Sequence, residues 1–178
     1  KLRIRVMGIS NSRKMSFRES EIPLDQWETL LDGGEPASPV GFYEKVKKAN
    51  LRNSIFIDNT ASAEISAWYP KYLRESIAVV TCNKIACSGA YPDYLGLRDL
   101  SRTYNVPFLF ETNVGAGLPV IDTLKNLVLS GDRVRKIRAV LSGSLNFIFN
   151  TYDGSDAFAD VVREARDQGF TEPDPRID

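Results

Sequence analysis

The side chains of this chain that could do chemistry gather where its apolar runs stop. The runs at 2–9, 54–60, 77–83, 107–114 and 137–144 lead into GISNSRK, DNTAS, TCNK, ETNVGAG and SGSLN. Any one such cluster reads as ordinary turn chemistry, because Asn, Ser and Gly end strands everywhere. The same polarity at the end of run after run points to a shared rim. Histidine is absent, so proton transfer falls to lysine, carboxylates, tyrosine or water, and Ser-His-Asp and Cys-His nucleophiles are excluded. Lys84, directly after Asn83, is placed to hydrogen-bond a carbonyl or hydroxyl substrate; a surface lysine is the plain alternative. Arg13 and Lys14 could hold an anion such as the 2′-phosphate of an adenosine ribose, or simply form a solvated turn. Cys82 is a candidate nucleophile, but without a histidine its activation would need another cause, and a small buried residue is the expectation.

The stretch LFETNVGAGLPVIDTLKNL, residues 109–127, sets a carboxylate and two glycines before a helix whose first turn Pro119 suits. Three readings stay open: an anion cradle at the helix N-terminus, a small cation held by Glu111 with main-chain oxygens, or a plain strand-to-helix junction. Near the other end, SDAFADVVREARDQG reads as a helix with Ser155 or Asp156 as N-cap, Phe158, Val161, Val162 and Ala165 along one face, and Gly169 as its stop. FTEPDPRID follows, either a solvated linker or one wall of a polar pocket carrying Glu172, Asp174, Arg176 and Asp178.

These residues must be positioned by the elements between them. The runs are rich in β-branched residues, and AEISAWYPKYLRES, GAYPDYLGLRDLSRTY and LPVIDTLKNLVLSG repeat apolar residues at helical spacing. A further helix, FYEKVKKANL, follows the loop DGGEPASPVG. Strands alternating with helices predict βαβ units in a mainly parallel, doubly wound sheet buried on both faces, with ligands outside the carboxyl ends of the strands. Lys plus Arg balance Asp plus Glu at 23 each, which argues against a nucleic-acid partner. No run approaches the ~20 apolar residues a membrane helix needs. Cys82 and Cys87 fit neither a zinc site nor a disulfide framework. A cytoplasmic protein with reduced thiols is expected.

Taken in order, DNTAS, VVTCNK, TNVGAGLPVI, LSGSLNFIFN and GFTEPDPRID resemble homoserine dehydrogenase, and GISNSRKM looks like the form fused behind an aspartokinase. The resemblance covers nearly the whole chain. It implies reduction of aspartate 4-semialdehyde to homoserine with NADPH or NADH on a Rossmann-like sheet. Ser12, Arg13, Thr60, Ala61, Lys84 and Gly143 would then hold the cofactor, with Arg13 at the adenosine 2′-phosphate. Gly143, Ser144, Glu172 and Asp178 would hold the substrate, with Glu172 on its ammonium. Lys84 would sit at the oxygen that becomes alkoxide-like. A sodium-like cation would be caged by Glu111 and the carbonyls of Val114, Ala116 and Leu118.

The chain departs from the family at Phe170, where tyrosine is common, at Cys82, where proline is common, and at Ser144, which keeps the hydroxyl of a threonine. The resemblance also implies a glycine-rich first strand before residue 1 and a catalytic lysine after residue 178. On that reading the chain is an interior fragment, inactive alone, whose open sheet edge favours a homo-oligomer. Residues 1–114 would be a cofactor domain lacking its first strand, and 115–178 the start of a mixed α/β substrate and dimerisation domain, with an aspartokinase on the same parent chain. Two rivals remain: a non-catalytic oligomerisation or regulatory segment, and a semialdehyde dehydrogenase using Cys82 or Cys87.

Overall fold

Asn11 decides the architecture of the first run. In a computed structural model, which describes residues 3–172 and 174–177, its side-chain oxygen accepts from the backbone N–H groups of Arg13 (2.8 Å) and Lys14 (2.7 Å). This Asx turn folds the chain back on itself. Strand β1 (Gly8–Ser10) therefore pairs antiparallel with β2 (Lys14–Phe17). After the short helix α1 (Trp27–Asp32), β3 (Glu35–Pro36) pairs with β2. The first run is thus not a member of the parallel sheet, contrary to the sequence expectation, because a local turn supplies its hydrogen-bond partner before any distant strand can. Helix α2 (Pro39–Ala49) follows, with Ser38 capping it by accepting from Gly41 N at 3.0 Å.

The parallel sheet is built from β4 (Ile55–Asp58), β5 (Ala78–Thr81) and β6 (Phe108–Leu109), in that order. Between β4 and β5 lie α3 (Ala63–Ser66) and α4 (Tyr69–Arg74). The sequence reads as one helix there; Pro70 instead sits in the first turn of α4, where its missing N–H costs nothing. Between β5 and β6 lie α5 (Ile85–Ser88) and α6 (Tyr91–Thr103). The register sets Phe56 beside Val79 and Asp58 beside Thr81, and Val79 beside Phe108. These residues share one face, and with Tyr69, Tyr72, Leu73, Leu97 and Val106 they form or border the main core. Tyr69, Leu73 and Val79 are 0% exposed, each worth roughly 1.5–3 kcal/mol of transfer free energy. Phe56 stacks on Tyr72 with ring centroids 4.1 Å apart, fastening β4 to α4. Burial on both faces is not found. Ile55 and Ile57 are 55% and 59% exposed and Leu109 is 44% exposed, since they alternate onto the opposite side.

The last run also differs from expectation. Residues 132–142 form no strand, and no described strand pairs with them; Val140 is 74% exposed. Without a pairing partner the segment leaves its backbone groups to solvent, and it ends where Ser142 caps the helix Gly143–Thr151. After α7 (Ile121–Leu129), α8 (Gly143–Thr151) packs on α9 (Phe158–Asp167) around Ile148, Val161 and Ala165, a second, smaller core. The N-cap of α9 is Ala157, with no side-chain cap. Ser155 is engaged instead by Asp153, donating to it from both N (2.9 Å) and Oγ (2.6 Å). Gly169, at φ 76°, ends α9 as the sequence predicts. Among the described residues no helix is long and apolar enough to cross a membrane.

Candidate active site

The carboxyl ends of β4 and β5 open onto a cavity of about 220 Å³ lined by Asn59, Thr60, Ala61, Cys82, Asn83, Lys84 and Glu172. Thr60 and Ala61 arrive on the loop after β4, and Ser62 ends that loop by capping α3. Lys84 is itself the N-cap residue of α5. Glu172 comes from 88 residues further along the chain, yet its Oε1 lies 3.2 Å from Lys84 Nζ. Both side chains are about one-third exposed, 32% and 35%, so water screens this ion pair. The volume is below the ~300 Å³ at which ligand pockets usually begin.

Behind the cavity wall lies a buried polar network. Asp58, 1% exposed, accepts from Thr60 N at its Oδ1 (2.8 Å) and from Tyr69 OH (2.5 Å) and Asn83 Nδ2 (3.0 Å) at its Oδ2. Asn83, 2% exposed, also donates to Ser62 O (2.9 Å) and accepts from Ile85 N (3.1 Å) at its own Oδ1. Tyr69 OH lies 2.8 Å from Thr81 Oγ1, which in turn accepts from Asn83 N at 2.8 Å. Burial is the main cause that raises the Tyr69 phenol above the ordinary tyrosine range, with the Asp58 hydrogen bond adding to it.

The sequence pattern of the homoserine dehydrogenase family matches residues 119–178. The bifunctional aspartokinase/homoserine dehydrogenase 1 of Arabidopsis thaliana, a chloroplastic protein, is 43% identical over 180 residues, covering 100% of this chain. The chain is similar to homoserine dehydrogenases over its whole length. It spans 20% of that relative's length. Solved structures that share its fold include the following two. A protein of unknown function from Candida auris matches with a TM-score of 0.79 at 34% identity, covering 97% of this chain and 50% of that one. A hyperthermophilic archaeal homoserine dehydrogenase mutant, solved in complex with NADPH, matches with a TM-score of 0.71 at 26% identity, covering 97% and 54%.

Of the site residues expected from sequence, the cavity unites Thr60, Ala61, Lys84 and Glu172. Ser12 and Arg13 lie in the exposed hairpin turn and do not line it. Gly143 and Ser144 open helix α8, with Ser142 Oγ accepting from Leu145 N at 3.1 Å. Ser144 is buried at 7%, and neither residue lines the cavity. Asp178 lies outside the described residues.

The carboxylate of Glu111 accepts from Ile121 N (2.9 Å) and Asp122 N (2.8 Å) at the start of α7. That helix N-terminus already holds an anion, the protein's own, which corrects the anion-cradle reading. Val120 is the N-cap residue of α7, so Pro119 lies just before the helix rather than in its first turn. Ahead of it the backbone turns through positive φ at Gly115 (72°) and Ala116 (51°). Among the described residues no group of three or more Cys, Asp or Glu is arranged to hold a metal ion. Cys82 is exposed rather than buried, its Sγ 3.7 Å from Asn59 Oδ1. It follows Thr81 at the point where the strand gives way to the cavity rim. Cys87 is the shielded thiol, pushed up to about 11 by burial, which outweighs a hydrogen bond from Asn113.

Sequence reasoning missed Asp58, Asn59, Asn83 and Tyr69. No sequence signal marked Asp58: IFID is a continuous apolar run closed by the aspartate, and only the folded strand sets Phe56 and Asp58 on its inward side, where a carboxylate must be satisfied by partners.

Proposed function

We propose that this chain carries the strand-end part of a homoserine dehydrogenase active site, interconverting aspartate 4-semialdehyde and homoserine with NADP(H) or NAD(H). One observation carries the reading: Thr60, Ala61, Lys84 and Glu172, spread over 113 positions of sequence (172 − 60 + 1), line one cavity at the carboxyl ends of parallel strands. The nicotinamide, when bound, supplies or accepts the hydride. Thr60 and Ala61 hold its ring, and Lys84 donates a hydrogen bond to the substrate oxygen as negative charge develops there. Such stabilisation is strongest where water is excluded. Glu172 accepts from the substrate ammonium, exchanging its present partner Lys84 for a ligand cation. Gly143, Ser144 and Asp178 complete the substrate contacts. Ser12 and Arg13 take the adenosine end, whose 2′-phosphate suits the planar guanidinium of Arg13.

Residues 1–114 form the cofactor part and 115–178 the beginning of the substrate part, a division supported by the separate core between α8 and α9. A sodium-like cation beside Glu111, with the carbonyls of Val114, Ala116 and Leu118, would occupy lone pairs that the α7 amides leave unused. We further propose an aspartokinase on the same parent chain, as in the Arabidopsis relative, assembly as a homo-oligomer, and residence in the cytoplasm.

The test is homoserine-dependent NADP+ reduction by the full-length gene product. Lys84→Met should lower kcat by about 10²–10³, the usual cost of removing one donor to a developing oxyanion. Glu172→Gln should chiefly raise the KM for homoserine. Wild-type kcat in Lys84→Met would refute the assignment.

A further inference from the structure

The backbone ladder between β4 and β5 ends at the pair Asp58 and Thr81. One more main-chain bond, Cys82 N to Asp58 O at 3.1 Å, closes it. Beyond that point the loops carrying Thr60 and Lys84 diverge, and side chains take over the connection. Asp58 Oδ1 holds the amide of Thr60 at 2.8 Å, while its Oδ2 holds Asn83, the residue immediately before Lys84, at 3.0 Å. Asn83 ties the second loop back to the first through Ser62 O at 2.9 Å and to α5 through Ile85 N at 3.1 Å. Asn113, from the turn after β6, donates to Asn83 O at 3.3 Å, so the third strand end is joined to the same node.

The choice of a carboxylate here needs an explanation. Burying an ionised carboxylate costs far more than burying an amide of the same shape, and all three donors that Asp58 engages are neutral groups. An asparagine would fill the volume at lower desolvation cost. It has only one acceptor oxygen, however, and these donors approach both oxygens from two directions. The carboxylate is the one side chain of this size that accepts on both sides at once, which is what spanning two loops demands.

From this geometry we infer that Asp58 is a positioning residue of the dehydrogenase. It lies behind the cavity wall and sets the separation of the loop that bears Thr60 from the loop that bears Lys84. The inference deepens the proposed function and rests on it for the roles of those two residues. Displacing a reacting group by about 1 Å can cost 10²-fold in rate. Loss of the clamp should therefore appear in kcat, with cofactor affinity largely preserved because most of the dinucleotide binds elsewhere.

The experiment compares Asp58→Asn, Asn83→Ala and Tyr69→Phe in the full-length gene product. Each is measured for kcat, for NADPH dissociation constant by fluorescence, and for melting temperature. Asp58→Asn should lose about 10–100-fold in kcat with less than about a threefold change in NADPH affinity. Asn83→Ala cuts the same bridge from its other end and should lose kcat similarly, so the inference stays testable if one of the two variants misfolds. Tyr69→Phe removes the third donor on the core side and leaves both loop contacts in place. It should melt lower while keeping kcat within about twofold of wild type. Wild-type kcat in either bridge variant, or a kcat loss in Tyr69→Phe that tracks its melting temperature, would overturn the inference. A wild-type kcat in Lys84→Met beside a loss in Asp58→Asn would instead overturn the role given to Lys84 and leave the clamp supported.

Discussion

Replacing Glu111 by alanine removes both acceptors that the side chain presents to α7. Its two oxygens accept from Ile121 N and Asp122 N at 2.9 and 2.8 Å, across ten and eleven residues of chain, so it acts as an N-cap delivered from outside the helix. Losing a capping side chain costs typically ~1 kcal/mol. Losing a negative charge at a helix N-terminus costs roughly another 0.5 kcal/mol at a partly exposed site. The sum, about 1.5 kcal/mol, corresponds to about a tenfold change in an opening equilibrium. It also predicts a fall in melting temperature of about 3–6 °C for a chain of this size. The localised readout is hydrogen exchange in choline chloride. Amides of α7, Ile121–Leu129, should exchange about tenfold faster in Glu111→Ala, while those of β5 keep their protection. Equal α7 protection in the two proteins would refute the capping argument. Substituting sodium for choline at constant ionic strength then tests the proposed cation. It should slow α7 exchange in the wild type and leave Glu111→Ala unaffected.

Two further outcomes follow from burial. Tyr69 and Tyr72 are both raised above the ordinary tyrosine range, chiefly by burial, with added contributions from Asp58 at the first and Tyr43 at the second. Their neutral forms therefore stabilise the fold fully below about pH 10, the unfolded value, and that stability is lost as pH rises beyond it. In an ultraviolet difference titration the two should ionise only as the helical signal collapses; early ionisation of both in folded protein would contradict their placement. The cysteines should separate by reactivity, since Cys87 is pushed up to about 11 while Cys82 is exposed. Brief iodoacetamide treatment at mildly alkaline pH, read by peptide mass spectrometry, should label Cys82 first. Preferential labelling of Cys87 would reverse the assignment of shielded and open thiol.

The parallel strands were legible in the sequence because IFID, AVVT and FL sit in apolar runs bounded by polar breaks, and the helices between them repeat at helical spacing. The rim was legible for the same reason: a parallel sheet places its loops at the carboxyl ends of its strands, so Thr60 and Lys84 could be grouped without coordinates. The resemblance to homoserine dehydrogenase added Glu172, which no local pattern ties to the others.

The tertiary structure decided what composition left ambiguous. The apolar run at 2–9 became part of a hairpin because Asn11 reverses the chain, and that at 137–144 became an unpaired segment and a helix start because no described strand borders it. A run of β-branched residues states a preference for extended backbone, whereas pairing is a property of two segments. Asp58 shows the same division at the site. Its closing place in the apolar run IFID could be read from sequence, whereas its inward side appears only in the folded strand. Its three donors come from residues 60, 69 and 83, and their convergence on one buried carboxylate exists only once β4, α4 and β5 have packed together.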